Sequence, residues 1–214
     1  SHEMLRASIR KFVEREIKPY IEHWEEEGTF PLELYKKAGD AGFLGLGSPE
    51  EYGGTPADIF HQVAYTEEIL RCGSVGLVSS LGSSAIAVPP ILALGTEAQK
   101  RKYVPPVLAG DQVAVLGVTE PSGGSDVANL LTRAVRKGDT FIVNGSKTFI
   151  TNGINSDLVI VAVKTDPSQK HKGMSLLVLE RGMEGFERGR NLDKIGLHAQ
   201  DTAELFFNEV RVPR

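Results

Sequence analysis

The residues best suited to chemistry in this chain lie together, from Leu116 to Asp126. An apolar run from Val113 to Val118 leads in and reads as a buried strand. Two hydroxyls (Thr119, Ser122), Pro121, the pair Gly123 and Gly124, then Ser125 and Asp126 follow. Pro121 cannot extend a sheet ladder, so the strand is expected to end before it. Adjacent glycines allow close approach to a ligand. Free N–H groups and hydroxyls in so few residues suit an anionic or flat polar ligand. A Pro-Ser-Gly-Gly segment also describes an ordinary turn, so the surrounding elements decide.

Other constellations fall away on spacing. A serine nucleophile elbow at Ser125 needs glycine two residues on, and Val127 stands there. Gly145-Ser146-Lys147-Thr148 lacks the Gly-Lys juxtaposition of a phosphate loop. Gly42, Gly45 and Gly47 follow a helical pattern rather than a strand, so they are not a dinucleotide fingerprint. The five histidines lack metal-ligand spacing, and no metal site is expected. A net charge of −4, with no basic-aromatic platform, argues against nucleic acid as a partner.

The 214 residues are 24% charged and 41% hydrophobic, as in an ordinary globular protein with one large domain or two small ones. The single Cys72 cannot form an internal disulfide, which fits a reducing compartment. No apolar run reaches the length of a membrane span, so none is expected.

The first half reads as helical. Leu5, Ile9, Phe12, Val13, Ile17, Tyr20, Ile21 and Trp24 recur at three- and four-residue steps, and Pro19 should kink or split their helix. Pro31 starts a second helix and Gly42 stops it. Thr55-Pro56 is expected to begin a third, with a stripe of Ile59, Phe60, Val63, Ala64 and Leu70. Residues 75–94 carry no charge and read as a central core helix. Thr96 and Gln99 predict a capping box for a short helix through Tyr103.

After Gly110 the apolar period shifts from about 3.6 to 2. Strands are expected at 112–119, 131–136, 140–143, 146–151, 157–164, 174–180 and 202–210. Lys137-Gly138-Asp139 should turn one hairpin, and Asn144-Gly145 reads as a type I′ turn. The expected fold is therefore α+β in two domains. A helical domain (1–110) precedes an antiparallel, barrel-like β-domain (111–214).

Several ordered motifs together resemble the acyl-CoA dehydrogenase family. They are Val118 to Asp126, Asn144 to Lys147, Phe149-Ile150-Thr151-Asn152-Gly153, Glu50 to Gly54, Gly95 to Lys100, and Lys194-Ile195-Gly196 before Asp201-Thr202. The tail Ala199 to Phe207 is most similar to the long-chain branch. Two positions depart from the pattern: Asn129 stands where a small residue is usual, and Phe149 where many members carry tryptophan.

The resemblance implies a helical domain, a β-barrel-like domain and a C-terminal four-helix domain, the last expected to be absent here. It implies FAD-dependent oxidation of an acyl-CoA thioester to the trans-2-enoyl-CoA, with a glutamate removing the α-proton and the β-hydrogen leaving as hydride to the flavin. That glutamate belongs to the C-terminal domain, so no catalytic residue is expected here and the 214 residues alone should be inactive. Implied partners are acyl-CoA, an electron-transferring flavoprotein and further copies in a homotetramer. The implied location is the bacterial cytoplasm or, in a eukaryote, the mitochondrial matrix.

By the same resemblance Leu116, Val118, Thr119, Gly124, Ser125, Phe149, Ile150 and Thr151 hold the cofactor. Thr119 would meet the pyrimidine edge of the ring, Phe149 would stack on it, and Thr151 would hydrogen-bond near N5 or O4. Ser125 would also touch CoA, while Gly82 and Ala85 give depth to an acyl pocket. Each has a structural alternative: Thr119 and Thr151 as strand formers, Phe149 as barrel core, and Ser122 and Ser125 as turn caps. Glu120 is read as structural, its carboxylate binding loop N–H groups. An acyl-CoA oxidase, another flavoenzyme of the same fold such as a nitroalkane oxidase, and a non-catalytic CoA- or nucleotide-binding module remain as alternatives.

Overall fold

The computed structural model describes all 214 residues. They cluster into two compact units, residues 1–113 with 193–201, and residues 114–192 with 202–214.

The first unit is helical. Helix α1 (His2–Phe12) runs into a π-helical turn, Val13–Ile17, and Ile9, Val13 and Ile17 are buried on one face. Pro19 supplies no N–H, and the chain breaks there before α2 (Ile21–Glu27). Helix α3 spans Glu33–Asp40. Gly39 passes so close to Ala109 that a Cβ would fall 2.2 Å from its carbonyl oxygen. Helix α4 (Ile59–Ile69) is capped by Asp58, whose carboxylate accepts the His61 N–H at 2.9 Å. Thr55-Pro56 does not start it; Thr55 instead bridges to Leu46.

The expected apolar stripe of α4 is corrected as well. Ile59, Phe60 and Val63 are 63%, 67% and 45% exposed, whereas Ala64, Glu68 and Ile69 are buried. The inward face carries a carboxylate because α1 brings arginines to it: Arg10 Nε donates to Glu68 Oε2 at 2.7 Å and Arg6 Nη1 to Oε1 at 3.0 Å. Periodicity registers polarity and cannot see such partners.

The expectation that no run reaches the length of a membrane span is corrected at Val75–Leu94, which is long and apolar enough to cross a membrane by length and composition because small serines and glycines interrupt it without adding charge. Here it forms two helices, α5 (Val75–Leu81) and α6 (Ser84–Leu94), meeting at Gly82-Ser83. It is not the single central core helix expected: the stretch breaks in two, and Val75, Ile86 and Leu94 are exposed. Helix α7 (Glu97–Leu108) has the expected capping box: Thr96 N–H donates to Gln99 Oε1 at 2.8 Å and Gln99 N–H to Thr96 Oγ1 at 3.3 Å. It continues past Tyr103 through Pro105-Pro106.

The second unit is a seven-stranded sheet: β1 (Ala114–Gly117), β2 (Arg133–Lys137), β3 (Thr140–Thr151), β4 (Leu158–Lys164), β5 (Met174–Glu180), β6 (Phe186–Asn191) and β7 (Thr202–Pro213). Their order is β1-β4-β2-β3-β7-β6, with β5 also on β4. All seven residues of β4 are buried, as suits a central strand. The α+β architecture is as expected, but the sheet is mixed rather than antiparallel. β1 runs parallel to β4, and β2 meets β4 in parallel at Arg133 and Lys164.

Asn144-Gly145 is not a turn. β3 passes straight through it with a shift of register against β7 between Val143 and Gly145. Gly145 is required there, because a Cβ would lie 2.6 Å from Thr132 Oγ1. Only the Gly138 turn makes the expected hairpin, joining β2 to β3. β6 was not expected, because Phe-Glu-Arg-Gly-Arg-Asn has no apolar alternation.

Candidate functional site

The loop after β1 is anchored from below by charge. Lys147, on β3, is completely buried and its Nζ donates to Glu120 Oε1 at 2.7 Å and to the Val118 carbonyl at 3.0 Å. Glu120, 4% exposed, also accepts the N–H groups of Leu131 (2.6 Å) and Thr132 (3.0 Å). Burial works against the Glu120 charge, but the ammonium and these donors outweigh it and hold the carboxyl below the usual carboxylate range. Burial also pulls the Lys147 ammonium below its usual value. With its oxygens taken up this way, Glu120 is a structural carboxylate and is not placed to collect a proton from a ligand.

Above this pair the chain turns tightly. Glu120 N–H donates to Gly123 O at 3.1 Å and Gly123 N–H returns to Glu120 O at 3.0 Å, so that amide is not among the loop's free donors. Gly124 sits over Thr119, where a Cβ would lie 3.4 Å from the threonine methyl. Pro121, Ser122, Gly124 and Ser125 are exposed. Asn129 donates to the Asp126 carboxylate, so this departure from the family pattern ties down the end of the loop.

Thr148 N–H donates to the Thr119 carbonyl at 2.9 Å, which joins the loop to β3 beside Phe149. Here β3 shifts register a second time, between Lys147 and Ile150. Phe149 takes a left-handed backbone, φ 58°, rare for a bulky residue and costing about 1–3 kcal/mol. Its neighbours Thr148 and Ile150 point into the core while Phe149 is 69% exposed, so it is not barrel core. Thr119 and Thr151 are half-buried, as are Leu116 and Val118. The Val118 carbonyl is taken by Lys147 and the Ile150 carbonyl by Gly153 N–H. Any ligand contact from those backbones therefore falls to other atoms.

The arrangement offers a flat apolar face, glycines without side chains, and exposed hydroxyls at Ser122 and Ser125. This suits a planar polar molecule carrying an anionic tail. The residues present thus fit a flavin nucleotide. No local signal in the sequence marks the role of Lys147, because β3 mixes buried and exposed residues and its partner Glu120 lies 27 positions earlier.

Gly82 and Ala85 lie in the first unit, on the wall of a cavity of about 570 Å³. Phe43, Leu81, Val88 and Leu92 supply apolar surface there, and Gln62 and Thr66 polar groups.

Comparison with known proteins bears on the whole chain. Residues 1–111 match the acyl-CoA dehydrogenase N-terminal domain and residues 115–210 its middle domain. The long-chain specific acyl-CoA dehydrogenase of Rattus norvegicus mitochondria is 42% identical over 214 residues, covering 99% of this chain and 50% of that protein. A probable acyl-CoA dehydrogenase from Mycobacterium abscessus superposes with a TM-score of 0.95 at 49% identity, over 99% of this chain and 56% of that one. A glutaryl-CoA dehydrogenase from Mycobacterium smegmatis, solved in complex with FADH2, superposes at 0.89 and 31% identity, over 99% of this chain and 53% of that one. The chain spans about half the length of the relatives it matches. With both domain matches in sequence order and the fold shared throughout, the chain belongs to the acyl-CoA dehydrogenase family.

Proposed function

We propose that these residues form the flavin- and thioester-binding part of an enzyme that oxidises an acyl-CoA to its trans-2-enoyl-CoA with FAD. The observation that carries the reading is Phe149, an exposed aromatic held in a left-handed backbone next to Thr148, whose N–H bonds the Thr119 carbonyl in the loop after β1. Strain of this kind persists where the surroundings over-determine it, commonly at ligand sites.

In this reading Phe149 gives a stacking face. The Thr119 and Thr151 hydroxyls bond the ring edge, with Leu116, Val118 and Ile150 alongside. Gly124 and Ser125 lie toward the phosphates, and Ser125 also toward CoA. Bound FAD would accept the hydride leaving the substrate β-carbon. The chain's own residues orient the ring and keep water from it, and hydrogen bonds from Thr151 stabilise charge that develops there. The Lys147–Glu120 pair keeps the loop in register and takes no proton from substrate. We place the α-proton acceptor outside these 214 residues, which by themselves should bind without turnover. Gly82 and Ala85 would leave room for the acyl chain. The same reading extends to an electron-transferring flavoprotein as acceptor and to a homotetramer.

The reading is supported by family membership and by the FADH2 carried by the Mycobacterium smegmatis relative. It is tested by Thr119→Ala and Thr151→Ala in the natural full-length protein. Each removes a hydrogen bond worth about 1 kcal/mol and should weaken flavin binding about 5-fold. Unchanged affinity in both variants would refute these placements.

A further inference from the structure

We infer that His2, Asp58 and His61 form a binding site for one divalent transition-metal ion of the zinc, nickel or copper class. The inference lies wholly in the helical unit and does not depend on the flavin reading.

The sequence gives no hint of it, because His2 stands 56 positions before Asp58. The fold brings them together. His2, in the first turn of α1, points Nε2 at Asp58 Oδ1 across 3.1 Å. His61, in the first turn of α4, points Nδ1 at the same oxygen across 2.7 Å. The two imidazoles lie against each other with centroids 3.9 Å apart. The three ligand atoms are all within 4.8 Å of one another. Around a tetrahedral ion with bonds of about 2.1 Å, ligand atoms sit roughly 3.4 Å apart. The trio therefore needs little movement to close on an ion.

Without metal, one oxygen must take three donors, since Oδ1 also accepts the His61 backbone N–H at 2.9 Å. An ion would replace the two imidazole contacts with N–metal and O–metal bonds. The proton facing Asp58 on each ring would shift to the ring's other nitrogen, or leave to solvent from a ring that starts doubly protonated, and the helix cap would remain.

The site is also held in place. His2, Arg6 and Arg10 share one face of α1 at four-residue steps. Arg6 and Arg10 bind Glu68 of α4 at 3.0 and 2.7 Å, which fixes one helix against the other just beyond the histidines. Two imidazoles and one carboxylate select borderline ions over magnesium or calcium, which prefer all-oxygen sets. The side chains of His2, Asp58 and His61 are 44%, 54% and 26% exposed, so water can complete the coordination.

The test is calorimetric titration of zinc chloride into the full-length protein, freed of metal and carrying no affinity tag. The inference predicts one ion per chain. His2→Gln, His61→Gln and Asp58→Asn should each weaken binding at least about 10-fold, the cost of losing even an outer partner at a metal site. Asparagine still caps a helix, so Asp58→Asn separates loss of the ligand from loss of the fold. Zinc should raise the melting temperature of the parent protein and not of His61→Gln. Absence of saturable binding, zinc affinity indifferent to His2→Gln and His61→Gln, or equal affinity for magnesium would each overturn the inference.

Discussion

Glu68 and Glu120 are both buried carboxylates, yet they are held in opposite ways. Glu68 has three arginine partners. Arg6 and Arg10 come from α1, and Arg71, in the short turn directly after α4 and three residues past Glu68, lies 2.8 Å away. Arg10 and Arg71 are 51% and 61% exposed. Glu120 has one cationic partner, Lys147, and that residue is as buried as itself. The helical cluster is redundant and open to water. The sheet pair is single and closed, and from it hang both the Thr119 loop and the Thr148–Thr151 segment. A redundant, solvent-open contact can tolerate loss of a member; a single closed pair cannot.

The largest expected effect follows from that difference. Lys147→Met leaves Glu120 buried without its cation and should cost about 3–5 kcal/mol in denaturant unfolding. The double variant Lys147→Met with Glu120→Gln should recover much of that loss. Arg71→Ala, which leaves Glu68 two arginines, should cost only a small fraction of the Lys147→Met effect. Equal losses for Arg71→Ala and Lys147→Met would break the comparison.

Acid should expose the same contrast more gently. The hydrogen bonds from Arg10 hold the Glu68 carboxyl down at about 2, against a usual value of roughly 4.3. Its folded value lies below its unfolded one. Its stabilising contribution is therefore complete above roughly pH 4.3 and is lost as pH falls through about 2. The Glu120 carboxyl, also lowered, adds a loss of the same sign. Unfolding measured across this range should show stability falling with acid, less steeply in Glu68→Gln. A Glu68→Gln profile identical to the parent would contradict the assignment.

The smallest effect concerns Phe149. Phe149→Gly relieves a left-handed backbone, which should offset part of the packing lost and leave the apoprotein within about 1 kcal/mol of the parent. In the proposed reading the same change removes the face on which the flavin stacks, and should weaken flavin binding about 2- to 10-fold. Loss of stability with no change in flavin affinity would make Phe149 structural after all.

The legible parts of this molecule are those whose signals are local. The Thr96 capping box, the break at Pro19 and the Gly138 hairpin each depend on residues a few positions apart. The family resemblance, rather than local physics, grouped Val118–Asp126 with Phe149–Gly153, and the Thr148 N–H to Thr119 carbonyl bond joins these two segments. The illegible parts depend on partners far along the chain. Glu68 faces inward because arginines 58 and 62 positions away reach it. Lys147 is tolerable only because Glu120 waits 27 positions earlier. Asn144-Gly145 carries the signal of a hairpin, but pairing with β7 on the far side turns it into a bulge.

The central claim is that this chain holds a flavin through the loop and strand anchored by Lys147. The most direct measurement is the visible absorbance and released-cofactor content of the natural full-length protein, purified and then reconstituted with FAD. The account predicts a yellow protein with one FAD per chain, bleached on addition of acyl-CoA, and weakened FAD retention in Lys147→Met under conditions where that variant remains folded. A colourless protein that fails to take up FAD, or full FAD retention in folded Lys147→Met, would contradict it.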